Sequence, residues 1–489
     1  MSTLHLRSRG VRGAWRLVMP TVAAAALAAC GSAPVLQQPQ APALPATFAQ
    51  APANAVAGSE PAAAFWRGFQ DAELDALITR ALAANGDVRI ARARLREARA
   101  LAREADAANL PTLAATAQAG RARVQTETFG TTAGNSVGGG VQASWEVDLF
   151  GRRGDEQAAA RADVAAGEAA VQGARLAVAG EVARTYFELR GLQERLRVAR
   201  DALVTQRDAL GLVQARLEAG RGTALDTERA RALVLATEAS VPALELQVVL
   251  ARQRLAVLTG QLPSALDTQL APAKPLPGMG ALSLAAIGSP EALLRRRPDL
   301  IAAEQAAVSA AARAGVAHKS RWPRITLAGA LGLNAARPGD LGDGASFVYN
   351  LGAQLLVTVF DGGALRARAD AAAARNDAAV AAYDQAVLLA LEDAEGALAG
   401  YTRTAQQAEA LYGAAQAAER AAEIARGRFR AGVSDFLAVL DAERERLNAR
   451  DRLVQAQTAA AVSVVAVYKA LGGVEAEPAT APAAAAAPR

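Results

Sequence analysis

The chain has 489 residues, is 52% hydrophobic yet only 4% aromatic, and carries a formal charge of +5. Much of the apolar content is alanine, which suits close helix-on-helix packing better than one thick globular core. Two histidines and one cysteine exclude most metal sites and any disulfide framework. The positive charge is almost all arginine, interleaved with Asp and Glu along helix-like runs and not clustered as in a nucleic-acid binder.

The first 29 residues stand apart. Arg7, Arg9, Arg12 and Arg16 precede an apolar run over residues 17–29, broken only by Pro20 and Thr21. About a dozen apolar residues are too few for a mature membrane helix, so residues 1–29 read as a signal peptide and the chain as exported. The run ends in Leu27-Ala28-Ala29-Cys30, on the single cysteine. That resembles a bacterial lipoprotein signal, with Cys30 as the lipidated first residue. Gly31 in place of an aspartate then favours sorting to the outer membrane. The alternative is an ordinary signal peptide with a chance cysteine. Residues 30–64, rich in Ala, Pro and Gln, read as a poorly ordered lipidated tether.

A first structural unit spans residues 65–262. Phe65, Trp66 and Phe69 open it, and Leu74, Leu77, Ile78, Ala81 and Leu82 fall on one side of a helix expected over 71–108, ended by Pro111. Strands are expected at about 111–124 and 137–149. Leu113, Ala115, Ala117 and Ala119 alternate with polar residues in the first, and Val137, Val141, Ala143, Trp145 and Val147 in the second. At Trp145-Glu146-Val147-Asp148-Leu149-Phe150-Gly151-Arg152 the period-two pattern gives way to helix composition. A helix of about 100 Å is expected over 152–219, with an unbroken heptad through Leu189, Leu192, Leu196, Ala199 and Leu203. Gly220 and Gly222 turn the chain, and a helix over 223–259 returns. Its length and that of the 71–108 helix together match the long helix, so the two are expected to stack end to end beside it.

Residues 263–290, with several prolines, read as a linker or small irregular subdomain. Residues 291–473 then repeat the first unit. A helix begins at Pro298-Asp299 and runs to about Lys319, where His318 reads as a surface residue. Strands are expected at about 323–334 and 346–359. Phe360-Asp361-Gly362 repeats the strand-to-helix switch, a second long helix covers 363–431, Gly432 turns it, and a return helix reaches Leu471. The tail, 474–489, is Ala/Pro-rich and reads as disordered.

Four membrane-length strands cannot close a barrel, and open edges do not survive in lipid, so several copies must share one. Aromatics at the strand ends fit membrane-interface girdles: Phe150, Trp322 and Phe360 at one end, Phe129, Phe347 and Tyr349 at the other. The fold class is therefore a membrane β-barrel joined to a long α-helical coiled-coil tunnel, built on an internal repeat.

These residues carry a resemblance. WEVDLFGR at 145–152, Arg296-Arg297-Pro298-Asp299 with Ala303-Glu304, Phe65-Trp66 with Phe69, Asp71 and Leu74, and Gly432 with FLAVLDA at 436–442 are similar to the outer membrane factors of the TolC family. The likeness is to the lipoprotein branch serving resistance-nodulation-division efflux systems. It implies a homotrimer with a twelve-stranded barrel, four strands per subunit, and a periplasmic tunnel. It further implies export in a tripartite system with a periplasmic adaptor and an inner-membrane pump. No residue pattern calls for a cofactor or a metal. By the same resemblance the gate lies at the periplasmic tip, at Leu437 and Asp441, one helical turn apart, with Asp226 in the related place of the first unit. Three copies of Asp441 would form a carboxylate ring suited to cations. No nucleophile–base set supports catalysis: Glu392 and Asp393 are adjacent on a helix and point in different directions. The competing class is a periplasm-spanning coiled-coil lipoprotein tether without conductance, which leaves the four alternating strands unexplained.

Overall fold

The structure is a computed structural model that describes residues 39–40, 43–52, 56–57, 64–126, 130–276 and 286–473. The expected signal peptide 1–29, Cys30, Phe129 and the tail 474–489 lie outside the described residues. The strands are β1 (Val56–Ala57), β2 (Thr112–Thr126), β3 (Gly130–Val147), β4 (Ala286–Gly288), β5 (Arg324–Ala335) and β6 (Phe347–Leu356). The helices are α1 (Ala72–Ala84), α2 (Gly86–Ala107), α3 (Arg152–Glu218), α4 (Ala224–Leu258), α5 (Pro290–Arg296), α6 (Pro298–Lys319), α7 (Ala364–Arg430) and α8 (Phe436–Ala470).

The repeat is strict. The starts Gly86 and Pro298, Arg152 and Ala364, and Ala224 and Phe436 are each 212 positions apart, and the paired helices have equal lengths of 22, 67 and 35 residues. β2, β3, β5 and β6 form one antiparallel sheet in that order. Helical columns continue it in the same order: α2 with α4, then α3, then α6 with α8, then α7. Each strand thus runs into its own column, and both kinds of edge, β2 with α2/α4 and β6 with α7, fall on the same two sides.

The expected helix over 71–108 is two helices. Asp71 caps the first, its carboxylate accepting from the backbone N–H of Glu73 and Leu74. Asn85 interrupts the run: its side-chain oxygen accepts from the N–H of Asp87, starting α2, while its amide donates to the carbonyl of Leu258 at 2.9 Å, the last residue of α4. One buried asparagine therefore joins α4 to α2 end to end. Arg297 does the same 212 positions later, donating to the carbonyl of Ala470, the last residue of α8, at the start of α6. These two side chains tie the end of each return helix to the start of the short helix it meets.

Around this waist sits the main core. Leu74, Leu77, Ile78, Tyr186, Phe187, Leu189, Leu255, Leu266 and Leu270 are buried together with Phe65, Trp66 and Phe69. Part of the expected tether joins it: Phe48 is buried, and the Glu395 carboxylate of α7 accepts from the backbone N–H of Ala49 and Gln50 at 2.7 and 2.8 Å. The stretch 263–290 contributes Leu266 and Leu270 to the core and β4, which pairs in parallel with β1. Three other expectations shift. The first hairpin is longer than expected, with β3 beginning at Gly130, and β6 stops at Leu356. His318 is half-buried, and burial, then the charges of Arg321 and Lys319, hold its imidazole below the ordinary value.

Candidate functional site

Residues directly opposite in an antiparallel pair share a face of the sheet. The register sets Ala115 against Val141, Val141 against Leu331, and Leu331 against Tyr349, a row across all four strands. Leu113, Ala143, Trp145, Leu327, Leu351 and Leu355 belong to the same face, and its large side chains are exposed on this chain. The opposite face carries Thr116, Gln118, Gln142, Ser144, Asn334, Asn350 and Gln354. An apolar face and a polar face on strands of ten or more residues make a wall between lipid and water. On the polar side Gly140 is paired with Gly332, and a Cβ on either would lie 2.5 Å from a backbone oxygen of the facing strand. The strands approach too closely there for any other residue.

At the helical end of the wall Phe150 stacks on Trp322 at 5.6 Å, and Trp145 donates to the carbonyl of Asn109. At the far end Phe347 and Tyr349 are neighbours at 6.2 Å. Phe360, beyond β6, is almost fully exposed. Strand passes into helix through ion pairs: Glu146 accepts from Arg152 and Arg153, both of which also pair with Glu156. Asp148 accepts from the N–H of Gly154 in the first turn of α3, a negative charge at the helix N-terminus. Lys319 at the end of α6 pairs with Asp155 at 2.7 Å and donates to the carbonyl of Gly151. In the second unit Asp361 accepts from the N–H of Leu365 and Gly363, and those backbone donors hold its carboxyl below the ordinary range.

Polar clusters fix the waist. Arg190, 1% exposed, donates to Glu73, Gln193 and the carbonyl of Pro272 and lies over the Tyr186 ring at 4.8 Å. Burial, then the hydrogen bond to Asp71, push the Tyr186 hydroxyl up. Arg297 pairs with Asp299 and with Asp393. Burial would raise the Asp299 carboxyl, but the bonded guanidinium outweighs it and holds the group below its ordinary value.

The tip is formed by two matching turns. Gly220 and Gly432 have φ of +70° and +74°, the left-handed conformation that ends a helix, and the N–H groups of Arg221 and Val433 reach back to the carbonyls of Arg216 and Arg428. Gly222 is not left-handed; it passes so near the end of α3 that a Cβ would lie 3.0 Å from the nitrogen of Leu217. Val213, Ala230, Phe429, Phe436, Val439 and Leu440 form a second core holding the two hairpins together, with the Arg216 guanidinium 4.1 Å from the centre of the Phe429 ring. Glu443, 3% exposed, is held by Arg446 at 2.9 Å and Arg426 at 3.3 Å, and a further carboxylate, Glu419, pairs with Arg446 and Arg450. Glu443 is not among the residues expected from sequence, although it lies seven residues after Phe436 and three after Leu440, on the apolar side of α8.

Leu437 and Asp441 are both exposed on one side of α8. Asp226 is not the repeat counterpart of Leu437 or Asp441. Its carboxylate accepts from the Thr223 hydroxyl at 2.6 Å while its N–H donates to that oxygen, a cap for α4, and the 212-residue offset matches it to Ala438. The counterpart of Leu437 is Leu225, and that of Asp441 is Arg229, both exposed. Those two positions become visible only once the repeat offset is known. Among the described residues no group of three or more His, Cys, Asp or Glu is placed to hold a metal.

Comparison with known proteins agrees with this geometry. The model of the family described as outer membrane efflux protein matches residues 77–261 and 289–473. The chain is 34% identical over 419 residues to the pyoverdine export outer membrane protein OpmQ of Pseudomonas aeruginosa, covering 84% of this chain and 87% of that one. It is 32% identical over 458 residues to the outer membrane protein OprJ of the same organism, covering 91% and 93%. Among solved structures it is similar to the outer-membrane channel OprN, at 35% identity and a TM-score of 0.85 over 90% of this chain and 99% of that one. The open state of the Neisseria gonorrhoeae outer membrane channel MtrE matches at 28% identity and a TM-score of 0.79, covering 92% and 99%. Strand order, helical columns and the doubled match agree: the chain belongs to the outer membrane efflux protein family.

Proposed function

We propose that three copies of this chain form one efflux duct, a twelve-stranded barrel in the outer membrane continued by a helical tunnel into the periplasm. One observation carries the reading: a two-faced, four-stranded sheet with both edges unpaired in the chain, each strand prolonged by a helical column in the same order. Unpaired edges in lipid leave backbone groups unsatisfied, so β6 of one subunit must pair with β2 of the next. The helical edge agrees with the same closure, since Leu235 and Leu246 of α4 are large apolar side chains left exposed on this chain. Phe150, Trp322, Phe360, Phe347 and Tyr349 are assigned to the membrane interfaces, and Cys30 to a lipid anchor in the outer membrane.

The duct serves as the exit of a tripartite exporter, receiving substrate from an inner-membrane pump through a periplasmic adaptor. It works by conduction and not by catalysis. Its gate is the tip beyond Gly220 and Gly432, where Leu437, Asp441 and Asp226 lie. The test is single-channel conductance of the purified protein in a planar bilayer, beside a heat-sensitive trimer band from outer-membrane fractions. A small conductance that opens transiently is expected. A folded, membrane-inserted trimer that never conducts would favour a structural tether instead.

A further inference from the structure

The face of the helical layer that lines the tunnel is fixed by what covers the other face. On α3, Tyr186, Arg190 and Gln193 reach the waist core through Asp71, Glu73 and the carbonyl of Leu270. A belt of packed side chains cannot fill a conducting lumen, so that face points outward. On the opposite face, Arg184, Glu188, Gly191 and Arg195 floor a groove of about 630 Å³ whose two walls are α4 and α8. Leu250 lines one wall and Val462 the other, and the repeat offset makes them equivalent. Seven-residue steps toward the tip lead from Leu250 through Ala243 and Ala236 to Arg229, and from Val462 through Gln455 and Asn448 to Asp441. Positions seven apart keep one face of a coiled helix, so Arg229 and Asp441 both point to the lumen at one level. Both side chains are exposed, and neither has an ion-pair partner among the described residues.

We propose that Arg229 and Asp441 alternate around the tunnel just inside its tip and close it by pairing with each other across hairpins. This rests on the trimeric tube proposed above, in which α4 and α8 alternate around the axis. Three guanidinium groups and three carboxylates then give a charge-neutral seal in place of the carboxylate ring that Asp441 alone implied. The seal is desolvated least when the hairpins part, so opening frees both charges to water. One turn closer to the tip, Leu225 and Leu437 put an apolar ring beneath it, and Asp226 is tied to Thr223. A neutral ring discriminates weakly between cations and anions.

The test uses the purified trimer in planar bilayers, reading closed-state conductance and reversal potential in a KCl gradient for Arg229→Gln, Asp441→Asn and the exchange Arg229→Asp with Asp441→Arg. Each single variant is expected to leak more than the parent. The reversal potential should move toward cation preference for Arg229→Gln and toward anion preference for Asp441→Asn. The exchange should restore both readings, because pairing is indifferent to which hairpin carries which sign. An exchange variant as leaky as the singles, or singles that shift in the same direction, would overturn the ring. Separately, Arg229→Cys with Asp441→Cys should lose its free thiols on mild oxidation in membranes and regain them with reductant. Thiols that stay free overturn the ring whatever the conductance. Silence from every variant in the bilayer, with the cysteines still linking, would strike the channel reading and leave the ring standing.

Discussion

Replacing Asn85 tests the idea that a single side chain splices two helices into one column. Asn85 is 4% exposed and does two things at once: it accepts from the N–H of Asp87 and donates to the carbonyl of Leu258 at 2.9 Å. Asn85→Ala removes the cap, which costs about 1 kcal/mol. It also strands the carbonyl of a buried residue at the end of α4, which adds about 1–3 kcal/mol. The expected loss is therefore about 2–4 kcal/mol if the two terms are independent. Asn85→Asp separates them, because a carboxylate still caps α2 but cannot donate to Leu258 and is repelled by its oxygen. Unfolding of such an assembly is expected to be irreversible, so the readout is the apparent transition temperature at one fixed scan rate in detergent. The order should be parent above both variants, with amide exchange accelerated at Asp87 and Val88 in the alanine variant and not in the aspartate variant. An alanine variant within about 0.5 kcal/mol of the parent would show that the columns are aligned by lateral packing on α3 alone.

Other positions give independent checks. Gly140→Ala should reduce the assembled fraction in outer-membrane extracts, since the new Cβ would meet the Leu331 carbonyl oxygen at 2.5 Å; Gly120→Ala, with its nearest neighbour 3.9 Å away, is the matched control. Arg190→Ala should destabilise by roughly 3 kcal/mol, the lower end for breaking a buried pair, because Lys274 stays with Glu73 at 2.7 Å; the shift is read in the same thermal scan. Asp299 sits below its ordinary carboxyl value, so it stabilises the fold above the unfolded-state value and that contribution is lost as pH falls through the folded one. Asp299→Asn should thus lower the transition temperature at neutral pH, and the gap to the parent should close in acid. A gap that is the same at both pH values would remove the Arg297 pairing as its cause.

The sequence alone determined the elements and their doubling. Period-two alternation through Val141, Ala143 and Trp145, the heptads of the long helix and the turn glycines Gly220 and Gly432 are local signals, and local signals are readable because helix and strand periods differ. The barrel-and-tunnel class followed, since four two-faced strands with long helices permit few other arrangements in lipid. Tertiary structure decided what depends on partners distant in the chain. Asn85 looked like an ordinary helix residue until Leu258 stood across from it, and Phe48 looked like linker until the core received it. Glu443 and Arg190 are charged residues that share three-and-four-step seams with Phe436 and Leu440 and with Ala183 and Tyr186, but only the packed helices show which charges meet them there. The tip shows the same division: the family resemblance points to Leu437 and Asp441 on one helix, and the 212-residue offset fixed by the helix starts is what matches Leu225 and Arg229 to them. How the columns sit side by side is likewise tertiary, set by packing between helices such as α3 and α8 that lie more than two hundred residues apart in the chain.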